Sequence, residues 1–367
     1  MQNNNLELFI NLTLLFVRQN HIVWLLCGLA FLVTAVLIPI TIKICNKEKW
    51  YDSLDERKIH SGNIPRLGSI GFVTGFVVSA IVYMVIKNDA ASSLVPFVLA
   101  GFIIFLFGVI DDFINLRASL KLSIQIIAAC IIVFTNHRFR LIGNFEIPEV
   151  VSLLLTLGWI IGVINSFNLI DGIDGLCAGL SSLISFTFAV IYARNVVHSA
   201  TICLFLVASL LGFLIYNKPK AKIFMGDGGS QFLGFMIASL PLYRSSDNFE
   251  YNKFLVMLNL VAIPTVDCLA AIIRRIRDHR GIMTPDRAHI HHKLMNLGFN
   301  STQVLIILLF AQSLICLACC IALYFKGSTA FIMLLVIYTI IMILFSAVHY
   351  LNRRALAAKS KTETIVS

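Results

Sequence analysis

Apolar stretches long enough to cross a bilayer recur along almost the whole chain, and no other feature constrains its fold as strongly. A hydrocarbon core about 30 Å thick needs roughly 20 consecutive apolar residues at about 1.5 Å of rise each. Runs of roughly 14 to 23 residues fall at about 22–44, 68–86, 94–110, 119–135, 150–167, 174–192, 197–216, 229–242, 254–273, 304–325 and 329–349. They predict an all-α polytopic bundle of about eleven transmembrane helices. Hydrophobic residues make up 58% of the chain against 13% charged, and the mean hydropathy is +0.88. Hydrocarbon must therefore surround most of it, and 1–367 reads as a single integral-membrane domain.

Basic residues set the orientation. With the N-terminus external and the C-terminus cytoplasmic, roughly 20 of the 29 Lys and Arg fall on the cytoplasmic side and about 8 outside. Lys43 stays within the first helix. The tail Met1 to His21 carries Glu7 and no basic cluster before the short apolar run Leu6–Val17, which suits the membrane interface better than a cleavable signal peptide. The net charge of +10 is spread over loops beside helix ends, so it reads as topology and attraction to anionic membrane lipid, not as a nucleic-acid partner. The nine cysteines lie mainly in or beside apolar runs and read as small packing residues.

Most of the distinctive chemistry falls in the inner loops, at about 45–67, 111–118, 165–175, 217–228 and 274–303. Three acidic clusters sit there: Asp111-Asp112, Asp171-Gly-Ile-Asp174 and Gly226-Asp227-Gly-Gly-Ser230. An Asp at the centre of a membrane helix costs roughly 3 kcal/mol or more, so such residues usually face a cavity or bind something. Held together, Asp111 and Asp112 would repel and favour proton exchange or a bound cation; a helix-end pair in water is the plainer alternative.

In Asn165-Ser-Phe-Asn168-Leu-Ile-Asp171-Gly-Ile-Asp174-Gly, a helical turn would set Asp171 and Asp174 on one face, and the Asn pair repeats the spacing. Oxygen donors of this kind suit a hard cation such as Mg²⁺, which takes one or two protein carboxylates and fills its shell with water or phosphate. No EF-hand loop is present. Consecutive glycines after Asp227, at a predicted helix start, would expose N–H groups to an anion beside a carboxylate able to hold its metal; diphosphate with Mg²⁺ meets both demands. The Gly-Lys-Ser/Thr ending of a Walker A loop is missing.

The longest inner loop carries Arg274-Arg-Ile-Arg277, Arg280 and Pro285-Asp-Arg287-Ala-His289-Ile-His291-His292-Lys293. Its histidines form only a partial zinc set with no nearby thiolate, and Arg with His suits phosphate and sugar oxygens. The first inner loop, Asp55-Glu-Arg-Lys58-Ile-His60 followed by Pro65-Arg-Leu-Gly68, suits a phosphate-contacting loop or an ordinary positive-inside anchor.

In this order the five motifs resemble the polyprenyl-phosphate N-acetylhexosamine-1-phosphate transferases of glycosyltransferase family 4, over nearly the whole chain. The His-Ile-His-His form and the eleventh helix are similar to the branch that transfers N-acetylglucosamine-1-phosphate, and less so to the muramoyl-pentapeptide branch. The resemblance implies a bacterial cytoplasmic (inner) membrane enzyme. In it, undecaprenyl phosphate attacks the β-phosphorus of a UDP-N-acetylhexosamine on the cytoplasmic face and releases UMP. It further implies Mg²⁺, with Mn²⁺ as a substitute, held by Asp174 and Asp227, and Asp111 with Asp112 at the lipid phosphate. Asp171, Asn165 and Asn168 would line the nucleotide site, and Arg287, His289, His291 and His292 would hold diphosphate or sugar. Lys58 and His60 would contact substrate from the first inner loop, and a homodimer is compatible with the pattern.

Two positions depart from that pattern. Asn115 stands where the muramoyl branch often has Lys, and Ser69 replaces a common Gly. Two rival classes are a transporter and a scaffold or lipid-binding protein. A transporter's ionisable groups belong near the bilayer midplane on repeat-related broken helices, whereas here they cluster at one face. A scaffold or lipid-binding protein would explain the basic loops without requiring Asp174 and Asp227 to converge. N-acetylglucosamine is the expected sugar, leading to O-antigen, common antigen or teichoic acid.

Overall fold

The computed structural model describes residues 20–51, 64–193, 196–243, 247–279, 281 and 288–366. Thirteen α-helices occupy them. The first seven are α1 (His21–Glu48), α2 (Ser69–Ile86), α3 (Asn88–Ile114), α4 (Ala118–Phe134), α5 (Glu149–Ile170), α6 (Leu176–Tyr192) and α7 (Val197–Asn217). Then come α8 (Gly226–Ser239), α9 (Asp247–Leu260), α10 (Ala262–Arg277), the short α11 (Ile290–Asn296), α12 (Ser301–Tyr324) and α13 (Ser328–Val366). Two-residue strands β1 (Leu141–Ile142) and β2 (Phe145–Glu146) form an antiparallel hairpin between α4 and α5.

All eleven apolar segments fall on helices, the ninth on the α9–α10 pair. Among the described residues seven helices are long and apolar enough to cross a membrane, eight if that pair is one span, while α4 and α6 are shorter apolar helices. The protein is an all-α, multi-pass membrane protein.

The bundle is organised around α8. Every residue from Gly228 to Ser239 is buried, and α8 packs against α3 and α5 with α2 and α6 beside it. A helix apolar all round must be enclosed, and its glycines show how closely. A Cβ on Gly108 of α3 would stand 2.5 Å from the Gly228 Cα, and one on Gly234 would stand 2.7 Å from the Ile164 Cα of α5. Small residues permit this backbone approach, which dispersion then rewards. At the periphery, only 6% of the apolar window of α13 is buried, so that helix presents its Leu, Ile and Val side chains to lipid.

One expected helix, 254–273, is broken. Its halves meet at 66° around Val261. Pro264 has no N–H, and its ring excludes a normal helical bond to the carbonyl four residues back, at Leu260. That carbonyl instead accepts from the buried Gln312 Nε2 of α12 at 3.0 Å. The same solution recurs at Pro39 within α1, where the Ala35 carbonyl accepts from the Tyr216 hydroxyl at 3.0 Å. In hydrocarbon a freed carbonyl needs such a donor.

Gln312→Leu keeps the bulk and removes the donor. It is expected to destabilise the protein by about 1–3 kcal/mol, read as a lower apparent Tm in detergent; an unchanged Tm would refute the assignment.

Candidate active site at one end of the bundle

Asp111 and Asp112 lie in the last turn of α3, which closes when Asn115 adopts a left-handed conformation at φ 48°. The Asn115 N–H bonds to the Asp111 carbonyl at 3.0 Å, and the Leu116 N–H bonds to Asp111 Oδ1 at 2.7 Å. Asp112 reaches across to α8. Its Oδ1 accepts the Asp227 N–H at 2.9 Å and its Oδ2 the Gly228 N–H at 3.2 Å. The first N–H groups of any helix lack internal partners, and here a carboxylate from another helix caps them.

Two cations complete the cluster. The Arg66 guanidinium lies 3.6 Å from Asp112 Oδ1 and also donates to the Asp112 carbonyl. Lys121, at the start of α4, pairs with Asp111 Oδ2 and stands 3.5 Å from Asp227 Oδ2. The side chains of Asp111 and Asp112 are 2% and 1% exposed, whereas that of Asp227 is 38% exposed. Asp227 is therefore the carboxylate of this cluster most open to a ligand. The turn before it is fixed by its surroundings. Gly226 has φ 74°, the 65–69 segment pairs with it through Gly68 N–H to Phe224 O at 2.8 Å, and Phe224 N–H bonds to Pro65 O at 2.8 Å.

The second acidic motif is not helical. α5 ends at Ile170, and Asp171 and Asp174 fall in the connection to α6, so no helical face carries both. Asp174 Oδ2 accepts the backbone N–H groups of Lys220 at 3.1 Å and Ala221 at 3.0 Å, which ties this connection to the loop after α7. Asn217 binds the same junction, accepting the Gly175 N–H at 3.0 Å and donating to the Ile223 carbonyl at 2.8 Å. Asn165 and Asn168 are engaged between helices. Asn165 donates to Gln125 Oε1 of α4 at 2.8 Å, and Asn168 Oδ1 accepts the Ser230 hydroxyl of α8 at 2.7 Å.

The histidines sit at the entry to α11. His289 Nδ1 is 2.8 Å from Asp267 Oδ2 of α10, and the Ile290 N–H bonds to Asp267 Oδ1 at 2.8 Å. The ring centroids of His289 and His291 are 5.9 Å apart with planes 12° from parallel, and those of His291 and His292 are 4.3 Å apart. His291 is buried against the acidic connection: a Cβ on Gly172 would lie 2.6 Å from its Nε2. Burial, reinforced by the neighbouring His292 and His289, pushes the His291 pKa down to about 3, so it is neutral at physiological pH. From the other side α13 braces α11, with Lys293 Nζ 4.8 Å from the Phe345 ring centroid and Asn296 bonded to Asn352 at 3.1 Å.

One end of the bundle thus gathers parts of all five segments singled out in the sequence. Asp111, Asp112 and Asp227 meet directly. Asp174 attaches to the neighbouring loop, and the histidines reach the acidic connection at Gly172. Lys58, His60 and Arg287 lie outside the described residues. Among the described residues no three His, Cys, Asp or Glu side chains are grouped to hold a metal by themselves. Mg²⁺ does not need three, since one or two carboxylates with phosphate and water suffice. An ammonium already sits between Asp111 and Asp227, so the donor set there suits a cation.

Lys121, Arg66 and Asp267 were not foreseen as site residues. Lys121 had a readable signal, because a cation in the first turn of an apolar helix opposes both the helix dipole and the hydrocarbon.

A multi-pass membrane protein that concentrates carboxylates, cations and histidines at one end has the layout of an enzyme acting at the membrane surface. Comparison with known proteins gives the family. The profile of glycosyl transferase family 4 matches residues 94–245. A Bacillus subtilis (strain 168) protein named probable undecaprenyl-phosphate N-acetylglucosaminyl 1-phosphate transferase is 32% identical over 319 residues, covering 85% of this chain and 87% of its own. A decaprenyl-phosphate N-acetylglucosaminephosphotransferase of Mycobacterium leprae (strain TN) is 33% identical over 288 residues, covering 69% and 72%. The undecaprenyl-phosphate alpha-N-acetylglucosaminyl 1-phosphate transferase of Escherichia coli O157:H7 is 29% identical over 297 residues, covering 78% and 80%. The chain belongs to glycosyl transferase family 4.

Lys121→Met strands the buried Asp111 carboxylate. It is expected to cost about 3 kcal/mol, the low end for breaking a buried pair because the Lys121 side chain keeps 31% exposure. Adding Asp111→Asn should recover most of the lost Tm; no recovery would mean that the pair is not the source.

His291 gives a pH signature. Its folded pKa of about 3 lies below the ordinary 6.5, so on acidification the unfolded chain takes up a proton that the folded protein refuses. The stability contributed is complete above pH 6.5 and declines as pH falls toward 3. Replacing His291 with Gln should flatten the fall in apparent Tm between about pH 7 and pH 5; an identical slope in the variant would contradict a buried neutral imidazole.

Proposed function

We propose that the protein transfers N-acetylglucosamine-1-phosphate from UDP-N-acetylglucosamine to undecaprenyl phosphate. The observation that carries this reading is the convergence of Asp111, Asp112 and Asp227 with Lys121 and Arg66 at the buried helix α8. The names of the relatives supply the substrate class. A lipid-phosphate oxygen attacks the β-phosphorus, the bond from that phosphorus to the bridging oxygen breaks, and UMP leaves with the bridging oxygen. Since the nucleotide sugar is made in the cytoplasm, the site end faces the cytoplasm and the protein resides in the bacterial inner membrane.

The residues divide the work by exposure and charge. Asp227, the accessible carboxylate of the cluster, would hold Mg²⁺ or Mn²⁺, with Asp174 from the adjoining connection as its companion. The metal supplies neutralisation of diphosphate charge and of the departing UMP. Lys121, oriented by Asp111, receives the lipid phosphate. That phosphate has a second pKa near about 6 and is largely deprotonated already, and a carboxylate paired to an ammonium is a weak base. Asp111 therefore positions more than it abstracts. Asp112 and Arg66 keep the α8 turn in place, while His289 and His292 would hold the sugar diphosphate, a role the sequence pattern also assigns to Arg287. Asp171 borders the nucleotide, and Asn165 and Asn168 hold α5 against α4 and α8 at the floor of that region. Lys58 and His60 approach substrate from the first inner loop.

Purified protein with undecaprenyl phosphate, Mg²⁺ and UDP-N-acetylglucosamine is expected to release UMP, and chelation should stop it until Mg²⁺ or Mn²⁺ is restored. Asp227→Asn and Asp174→Asn should each lower turnover by at least about 100-fold. A metal ligand would also raise the Mg²⁺ concentration at half-maximal rate, whereas a residue that only ties loops together would not. Turnover with a different UDP-N-acetylhexosamine, or with UDP-muramoyl-pentapeptide, in direct competition would reassign the sugar. No UMP from any of them would sink the transferase reading.

A further inference from the structure

Asp267 has no role in the reaction described so far. It sits within the apolar part of α10 and is 1% exposed. A carboxylate in such a segment is expensive unless something uses its charge. Both of its oxygens are committed to one place: Oδ1 accepts the Ile290 N–H at 2.8 Å, and Oδ2 faces His289 Nδ1 at 2.8 Å. His289 is itself 6% exposed and immediately precedes α11.

The chemistry of this contact fixes a proton. An ionised carboxylate only accepts hydrogen bonds, so His289 must carry its hydrogen on Nδ1. Nε2 is then the nitrogen left for substrate. The second bond, to Ile290, sets where α11 begins and therefore where the following His291 and His292 stand. His291 in turn packs on Gly172 of the acidic connection. One side chain thus controls both the tautomer of His289 and the placement of the histidine segment against that connection.

We propose that Asp267 is a positioning residue for the transfer reaction, acting through His289: it holds the imidazole in the Nδ1–H form with Nε2 directed to the sugar diphosphate. This rests on the transferase reading above. A purely structural alternative exists, in which Asp267 only caps α11 through Ile290.

Asp267→Asn separates the two. The Asn side-chain oxygen still accepts the Ile290 N–H, but its amide nitrogen then faces His289 Nδ1 and donates to it, driving the ring hydrogen to Nε2. A cap is preserved while the tautomer is inverted. The expected result is a loss of kcat of about 10-fold or more, with the KM for undecaprenyl phosphate held within about twofold and the apparent Tm nearly unchanged. The decisive comparison places the same substitution in a His289→Ala background, where it should change kcat by less than about twofold because the group it acts through is gone. If Asp267→Asn does not yield folded protein, Asp267→Glu, which keeps the charge in a displaced position, carries the same cycle. Where turnover is too slow to measure, UMP affinity across the four proteins replaces it. Unchanged kcat in Asp267→Asn, or a loss that persists in full without the His289 ring, overturns the proposal. Absence of UMP release by the parent protein would instead overturn the transferase reading, so the two failures are distinguishable.

Discussion

The rest of the site depends on the bonds from Asp112 to the start of α8. That helix is short, apolar and enclosed, so its first N–H groups lie where water cannot be relied on to satisfy them, and leaving one buried donor unmade costs about 1–3 kcal/mol. Asp112 satisfies two of them from α3. The arrangement works only because Gly108 and Gly228 let the two backbones nearly touch. Any larger residue at position 108 would push α3 away and lengthen both bonds. Packing and charge therefore specify the same geometry: the small-residue contact sets the distance, and the carboxylate makes that distance favourable.

A burial hierarchy among like charges follows from this geometry. Asp112 neutralises a helix start and Arg66, Asp111 pairs with Lys121, and Asp227, whose Oδ2 lies 3.5 Å from the same ammonium, remains the most exposed of the three. Three acids in one cluster would repel strongly in a low-dielectric setting. Two cations and three backbone donors offset that repulsion, and Asp227 keeps the most exposed of the three carboxylates. A polyanionic substrate would meet an exposed carboxylate there, so a bridging cation at Asp227 is what such a site would call for.

Much of this was legible in the sequence, and the unread part has a common cause. The apolar periodicity located all eleven segments, and the cost of acids beside them located Asp111, Asp112, Asp174 and Asp227. The break at Val261 could have been read from Pro264. The donor that makes the break tolerable, Gln312, could not, because it comes from a different helix 52 positions away. Likewise Asn165 and Asn168 have the look of ligand donors in one dimension, but their partners Gln125 and Ser230 show that membrane helices also use amides to hold one another. The spacing of Asp171 and Asp174 suggested one helical face, and the glycines between and after them ended the helix instead. Spacing reports chemistry within a segment and says little about which other segment completes it.

The same reasoning gives weight to Asp267. Sequence motifs draw attention to exposed or clustered chemistry, whereas a lone buried acid inside an apolar helix looks like an isolated expense. Its partner lies 22 positions further on, across a loop, and only the fold joins them. A transferase acting at a membrane surface must hold its histidines steady beside a mobile lipid phase. A carboxylate anchored in the rigid interior of a membrane helix supplies that support at a single point, and α13 braces the opposite side through Phe345 and Asn352. The histidine segment is thereby referenced to the bundle at its first residue, through Asp267.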